Sequence, residues 1–157
     1  MNWESIARFV LAGSSDGESF AILLVRVSLG AFFAISGGYK LFVPSRRRLM
    51  YDTLVDTGVP LPQIMTFFVS GVEFVGGLLL IVGVLSSIAS FMLLVDMLVA
   101  ILTTKLSSIP KKLSMLDWLD NFLYLPEVLY VVFFVWLICS GPGRFSVDHC
   151  IAMRLLQ

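Results

Sequence analysis

Residues 20–43 read FAILLVRVSLGAFFAISGGYKLFV, an apolar run broken by two charges, Arg26 and Lys40. A bilayer with a hydrocarbon core of about 30 Å is crossed by ~20 helical residues, so this run is long enough. Lipid offers no partners to backbone N–H and C=O groups, so such a segment has to be helical. A charged side chain at the centre of a spanning helix costs at least about 2.5–3.5 kcal/mol. The two cations therefore need partners or a task, and the rest of the chain has to supply them.

Three further runs of the same kind follow, at about 63–85, 87–104 and 122–140. Pro44 and the run Arg46–Arg47–Arg48 stop the first span, Pro60 and Pro62 introduce the second, and Gly141–Pro142–Gly143 ends the fourth. The pattern predicts an all-α membrane protein, a four-transmembrane-helix bundle with short interfacial helices. Its layout is an N-terminal interfacial segment (1–19), the bundle (20–148) and a tail (149–157). Composition agrees: 58% of the 157 residues are hydrophobic and 14% charged, where a soluble domain carries about 25% charged residues. The mean hydropathy is +0.94. With a formal net charge of +0 and no basic run interleaved with aromatics in a polar segment, nucleic-acid binding is not expected.

Residues 3–12, with Trp3 as anchor, read as an interfacial helix. Trp3, Glu4, Arg8 and Asp16 surround only a short apolar piece, which is not the pattern of a cleavable signal. The connector 44–62 mixes Arg47, Arg48, Met50, Tyr51, Leu54 and Val55 at helical spacing. In 105–121 Leu113, Leu116 and Leu119 recur every third residue, and Phe122 continues the series. Both connectors read as interfacial helices. They carry Arg46, Arg47, Arg48, Lys105, Lys111 and Lys112, against Arg8, Arg144 and Arg154 on the other side. That bias places the connectors in the cytoplasm and both termini in the periplasm.

The charges inside the spans fall on faces that can meet. Arg26, Gly30, Phe33, Gly37 and Lys40 share one stripe of the first helix. Its glycines would let a neighbour approach closely. Glu73 shares a face with Gly76 and Gly77, and Asp96 with Ala89, Leu93 and Ala100. Tyr124, Glu127 and Tyr130 recur every third residue. Depth along the helices brings Arg26, Glu73 and Asp96 into one central cluster and pairs Lys40 with Glu127. The excess acid calls either for one more cation, for which Arg144 is the candidate, or for one protonated carboxyl. Such a constellation is either a set of ion pairs that hold helices in register, or a proton relay or polar pocket for a quinone head group. Phe32, Phe33, Phe67, Phe68, Phe74, Phe133, Phe134 and Trp136 either pack the bundle, face lipid or line an isoprenoid-tail site.

Cys139 and Cys150 are the two cysteines and His149 the one histidine. There is no CxxC and no zinc-like Cys/His spacing. No metal site, haem, flavin or iron–sulfur motif is expected. The two thiols would pair only in an oxidising compartment and would otherwise be free and mostly buried.

The segment Gly141–Pro142–Gly143–Arg144–Phe145–Ser146–Val147–Asp148 resembles the C-terminal signature of the DoxX family. Leu24–Val25–Arg26 with Gly30, Gly37 to Phe42, Gly58 to Pro62, Val72–Glu73 with Gly76–Gly77, and Glu127 resemble further pieces of it. Asp96 matches none of its motifs. The resemblance implies a four-span bundle in a bacterial cytoplasmic membrane. It also implies kinship with a membrane subunit of a thiosulfate:quinone oxidoreductase, and with proteins that act beside redox and detoxification partners. Read on its own chemistry, the signature turns the chain. It offers Arg144 to helix-end carbonyls or lipid phosphate, and Ser146 and Asp148 to the N–H groups of a following helix.

The expected function is a membrane subunit of an oxidoreductase system, handling quinone or sulfur-linked electrons. It has no cofactor of its own and works with a protein partner that carries the redox group. Arg26, Glu73 and Asp96 would be the catalytic group, with Lys40, Glu127, Tyr130 and Arg144 binding. The alternatives are a non-catalytic membrane scaffold or assembly subunit, and a small carrier. Membrane lipids surround the chain on any of these readings, and homo-oligomerisation is left open.

Overall fold

The computed structural model describes residues 15–106, 109–110 and 113–155. The interfacial helix expected at 3–12, with Trp3 and Arg8, lies outside these residues, as do Lys111 and Lys112. Among the described residues every regular element is helical. They are α1 (Ser15–Phe42), α2 (Pro44–Asp56), α3 (Pro62–Val82), α4 (Ser86–Ala100), a π-helical turn (Ile101–Lys105), α5 (Met115–Leu123), α6 (Pro126–Ser140) and α7 (Val147–Leu155).

Three stretches are long and apolar enough to cross a membrane: Asp16–Phe42, Pro62–Val82 and Ser86–Lys105. The fourth is a bent pair, Met115–Leu123 with Pro126–Ser140, at 62° to one another. Alone, α6 has 15 residues and reaches about 22 Å, short of the ~30 Å core. The break has a covalent cause. Pro126 lacks an N–H and disfavours the helical conformation at the residue before it, and Leu125 is extended. The helix of the second connector is capped by Ser114, whose hydroxyl accepts from the Asp117 N–H (3.2 Å) and donates to its carboxylate (2.7 Å).

The seam between α1 and α3 is the most intimate contact in the bundle. A Cβ on Gly30 would sit 2.7 Å from the Gly77 carbonyl, and one on Gly37 2.7 Å from the Ser70 carbonyl. The backbones touch because no side chain stands between them, so dispersion supplies what hydrophobicity cannot supply within lipid. α4 packs on α3 and on α6. Ile22, Leu29, Phe33, Leu80, Leu93, Met97, Phe134 and Leu137 form the interior. Phe20, Leu24, Ile35, Phe68, Val75 and Ile88 are exposed on the outside, as expected where the solvent is hydrocarbon.

α3 and α4 form a hairpin. Gly83 ends α3 with φ +77°, and its N–H donates to the Leu79 carbonyl at 2.8 Å. Leu85, at φ +49°, precedes α4. A left-handed leucine is strained and has to be held from elsewhere.

Candidate functional site: a polar cavity at the connector end

What holds the hairpin is the C-terminal segment. The Asp148 carboxylate accepts the N–H groups of Leu85 and Ser86, both at 2.8 Å, so it caps α4 from 62 positions away in the chain. The Asp148 N–H donates to the Gly83 carbonyl at 3.0 Å. Burial alone would raise the Asp148 carboxyl. The two backbone N–H groups and the Arg26 guanidinium outweigh it and hold the group below the ordinary carboxylate range. Arg26, 1% exposed, donates to the carbonyls of Pro142 (2.9 Å) and Phe145 (2.6 Å). Ser146 donates to the Gly143 carbonyl and accepts the His149 N–H, which caps α7. A side chain on Gly83 would collide with the Arg26 guanidinium. The segment 141–148 is thus a latch, and Arg26 is its bolt.

The expected Arg26–Glu73–Asp96 cluster therefore does not form. Arg26 lies at the hairpin end beside Gly83, roughly 15 Å along α3 from Glu73 at 1.5 Å per residue. Its guanidinium reaches outward to backbone carbonyls that a loop brings to it, not inward to the acids. Asp148 caps α4 rather than α7. Arg144 supplies no charge to the interior either. It pairs with Asp16 at 2.9 Å, both largely exposed. Cys139 and Cys150 are free and exposed, neither paired nor buried.

The remaining acids converge at the other end. Lys40 Nζ lies 2.6 Å from both carboxylate oxygens of Glu73, and Ser36 Oγ donates to Oε2 at 3.5 Å. Ser36 and Lys40 are one turn apart on α1, flanking Gly37, and the glycine contact brings that turn against Glu73. Glu73 is 4% exposed. Glu127, in the first turn of α6, pairs with Lys105 at 2.8 Å rather than with Lys40. Asp96 completes the set from α4. Glu73, Asp96, Glu127, Lys40 and Lys105 line one cavity of about 370 Å³. Met50, Leu54, Val69 and Met97 wall it, and half-exposed Val99 is at its rim.

Three acids and two lysines face this space, so it carries one negative charge in excess when all are ionised. Asp96 Oδ2 and Glu127 Oε2 are buried without a hydrogen-bond partner among the described residues. A buried carboxylate oxygen without a donor is costly, and both belong to residues that line the cavity. Tyr130 is one turn further along α6, its ring tilted against Phe32 and edge-on to Phe33, which in turn meets Phe134, and it does not line the cavity.

Lys105 is the site residue that sequence reasoning missed, since it was read as a connector charge. The π turn at Ile101–Lys105 widens the helix and changes which face its last residue presents, so a 3.6-residue period assigns Lys105 to the wrong side. The detectable signal was a lone lysine closing an apolar span that already carried an acid.

Residues 21–106 match the DoxX family. The chain belongs to the DoxX family. The matched region holds Arg26, Lys40, Glu73, Asp96 and Lys105. The latch and Glu127 lie beyond it. This DoxX protein is also 28% identical over 140 residues to an uncharacterized membrane protein of Mycobacterium tuberculosis. The alignment covers 85% of this chain and 83% of that protein. No solved structure matches the chain. Family and apolar helices together make this a multi-pass membrane protein.

Proposed function

We propose that this DoxX protein is the membrane subunit of a bacterial inner-membrane oxidoreductase system, and that its connector-end cavity receives a quinone head group. The observation that carries the reading is that Asp96 and Glu127, each with a buried carboxylate oxygen that has no partner among the described residues, line a space that also holds two lysines. Those groups fit a quinone. The two oxygens would accept hydroxyl hydrogen bonds from the reduced ring, and Lys40, held by Glu73, would donate to a carbonyl of the oxidised ring. When bound, the quinone supplies electron-acceptor chemistry. The chain's own residues bind the ring, orient it and hold ionisable hydrogens beside its oxygens. The electrons come from a protein partner that carries the redox group. The cluster of arginines and lysines on the connectors supports a cytoplasmic position for the cavity and periplasmic termini.

The test is quinone binding by the purified protein in nanodiscs, read with a short-chain quinone and compared with Asp96→Asn and Glu127→Gln. Wild type is expected to retain the probe, and each variant to bind it about tenfold more weakly. Wild-type protein that binds no quinone, with variants that fold and insert normally, would overturn the reading in favour of a scaffold. Liposome proton uptake abolished by Asp96→Asn, without quinone binding, would overturn it in favour of a carrier.

A further inference from the structure

A second, basic recess is lined by other residues of α2 than the polar cavity. Arg47, Arg48 and Tyr51 of α2 face Gln63, Thr66 and Phe67 of α3 across a space of about 520 Å³. No aspartate or glutamate is among the residues that line it. Arg47 is held in place without a counter-ion among the described residues. Its guanidinium carbon lies 5.2 Å from the centre of the Phe67 ring, and one nitrogen donates to the Leu41 carbonyl at 3.4 Å. The Arg48 side chain makes no hydrogen bond or ion pair with another described residue. Both helices that wall the recess present their first turns to it, Pro44 on α2 and Gln63 on α3, so backbone dipoles add to the positive field.

A guanidinium positioned by a ring and a carbonyl is pre-organised, and its remaining N–H groups form a planar fork suited to phosphate. We infer that this recess binds the phosphate of an anionic phospholipid. A lipid is favoured over free phosphate by position. The recess opens where two spanning segments end, and exposed Phe67 and Ile64 continue its wall along the lipid-facing side of α3. Basic recesses between helices at the membrane surface are sites of this kind. The inference goes beyond the proposed quinone reading and does not depend on it.

The test is native mass spectrometry of the detergent-released protein titrated with phosphatidylglycerol, phosphatidylcholine or inorganic phosphate. Arg48→Gln is the informative variant, because Arg48 supports no other contact. Arg46→Gln is its control, with the same charge change but facing the neighbouring cavity on the other side of α2. Phosphatidylglycerol is expected to be retained over phosphatidylcholine. Its affinity should fall about fivefold in Arg48→Gln, with less than half that effect in Arg46→Gln. Equal loss in both variants would reduce the effect to diffuse surface charge and overturn the site. Equal retention of phosphatidylcholine, or displacement of the lipid by inorganic phosphate, would also overturn it. Arg47→Gln, checked for folding by thermal unfolding, should weaken phosphatidylglycerol binding at least as much as Arg48→Gln, and unchanged binding would count against the inference.

Discussion

At the hairpin end Arg26 and Asp148 close on backbone groups: two carbonyls for the cation, two N–H groups for the anion. At the connector end Glu73 closes on Lys40, but Asp96 and Glu127 each keep a buried oxygen without a partner. Both ends hold charges that hydrocarbon would reject. The first uses them to fasten a returning tail to a helix hairpin. The second lines a cavity with them, and two of the lining residues keep a buried carboxylate oxygen without a partner among the described residues. Charge spent on backbone is structural, although Arg26 Nε keeps a buried N–H without a partner among the described residues. Charge left facing a space is what a ligand can use.

The contrast breaks most easily at Arg26. Arg26→Gln should remove about 3 kcal/mol of stability, since the carbonyls of Pro142 and Phe145 lose a charged donor held by a buried side chain. It should also expose residues 141–155 to limited proteolysis, and an undisturbed tail would show that the latch is not fastened there. Gly37→Ala tests the seam that lies between the two ends. The added methyl meets the backbone of α3, which cannot turn aside, and should cost about 1–3 kcal/mol in thermal unfolding in micelles. It should also loosen the Lys40–Glu73 contact.

At the connector end, Lys40→Gln should cost about 1–2 kcal/mol by leaving Glu73 buried without its ammonium. Asp148→Asn should cost about 1 kcal/mol, as for a lost helix cap, and it carries a pH signature. The carboxyl is held below its unfolded value of about 3.9. Its contribution is therefore complete above that value and is lost as pH falls through the lowered one. Wild type should weaken over that window more than Asp148→Asn does, and parallel profiles would contradict the capping role.

The helices and their seam were legible because they rest on local rules. Apolar length fixes a span, proline and glycine end it, and Gly30 and Gly37, a heptad apart, mark a face. The partners of the charges were not. Depth in a membrane narrows a partner only to within a turn or two. An arginine is long enough to point either way, and only a loop folding back from residue 142 decides that Arg26 points out. Lys105 was hidden by a π turn that no residue pattern announces, and the Asp148 cap by a contact that joins distant parts of the chain. Glu73 and Asp96 line one cavity, while Arg26, expected beside them, lies at the hairpin end.

The most direct measurement is a pair of double-mutant cycles on thermal stability in micelles, one joining Glu73→Gln with Lys40→Gln and the other joining Glu73→Gln with the milder Arg26→Lys. The account predicts coupling of about 1 kcal/mol or more for Glu73 with Lys40, and additivity within about 0.5 kcal/mol for Glu73 with Arg26. Strong coupling of Glu73 to Arg26, with none to Lys40, would contradict it.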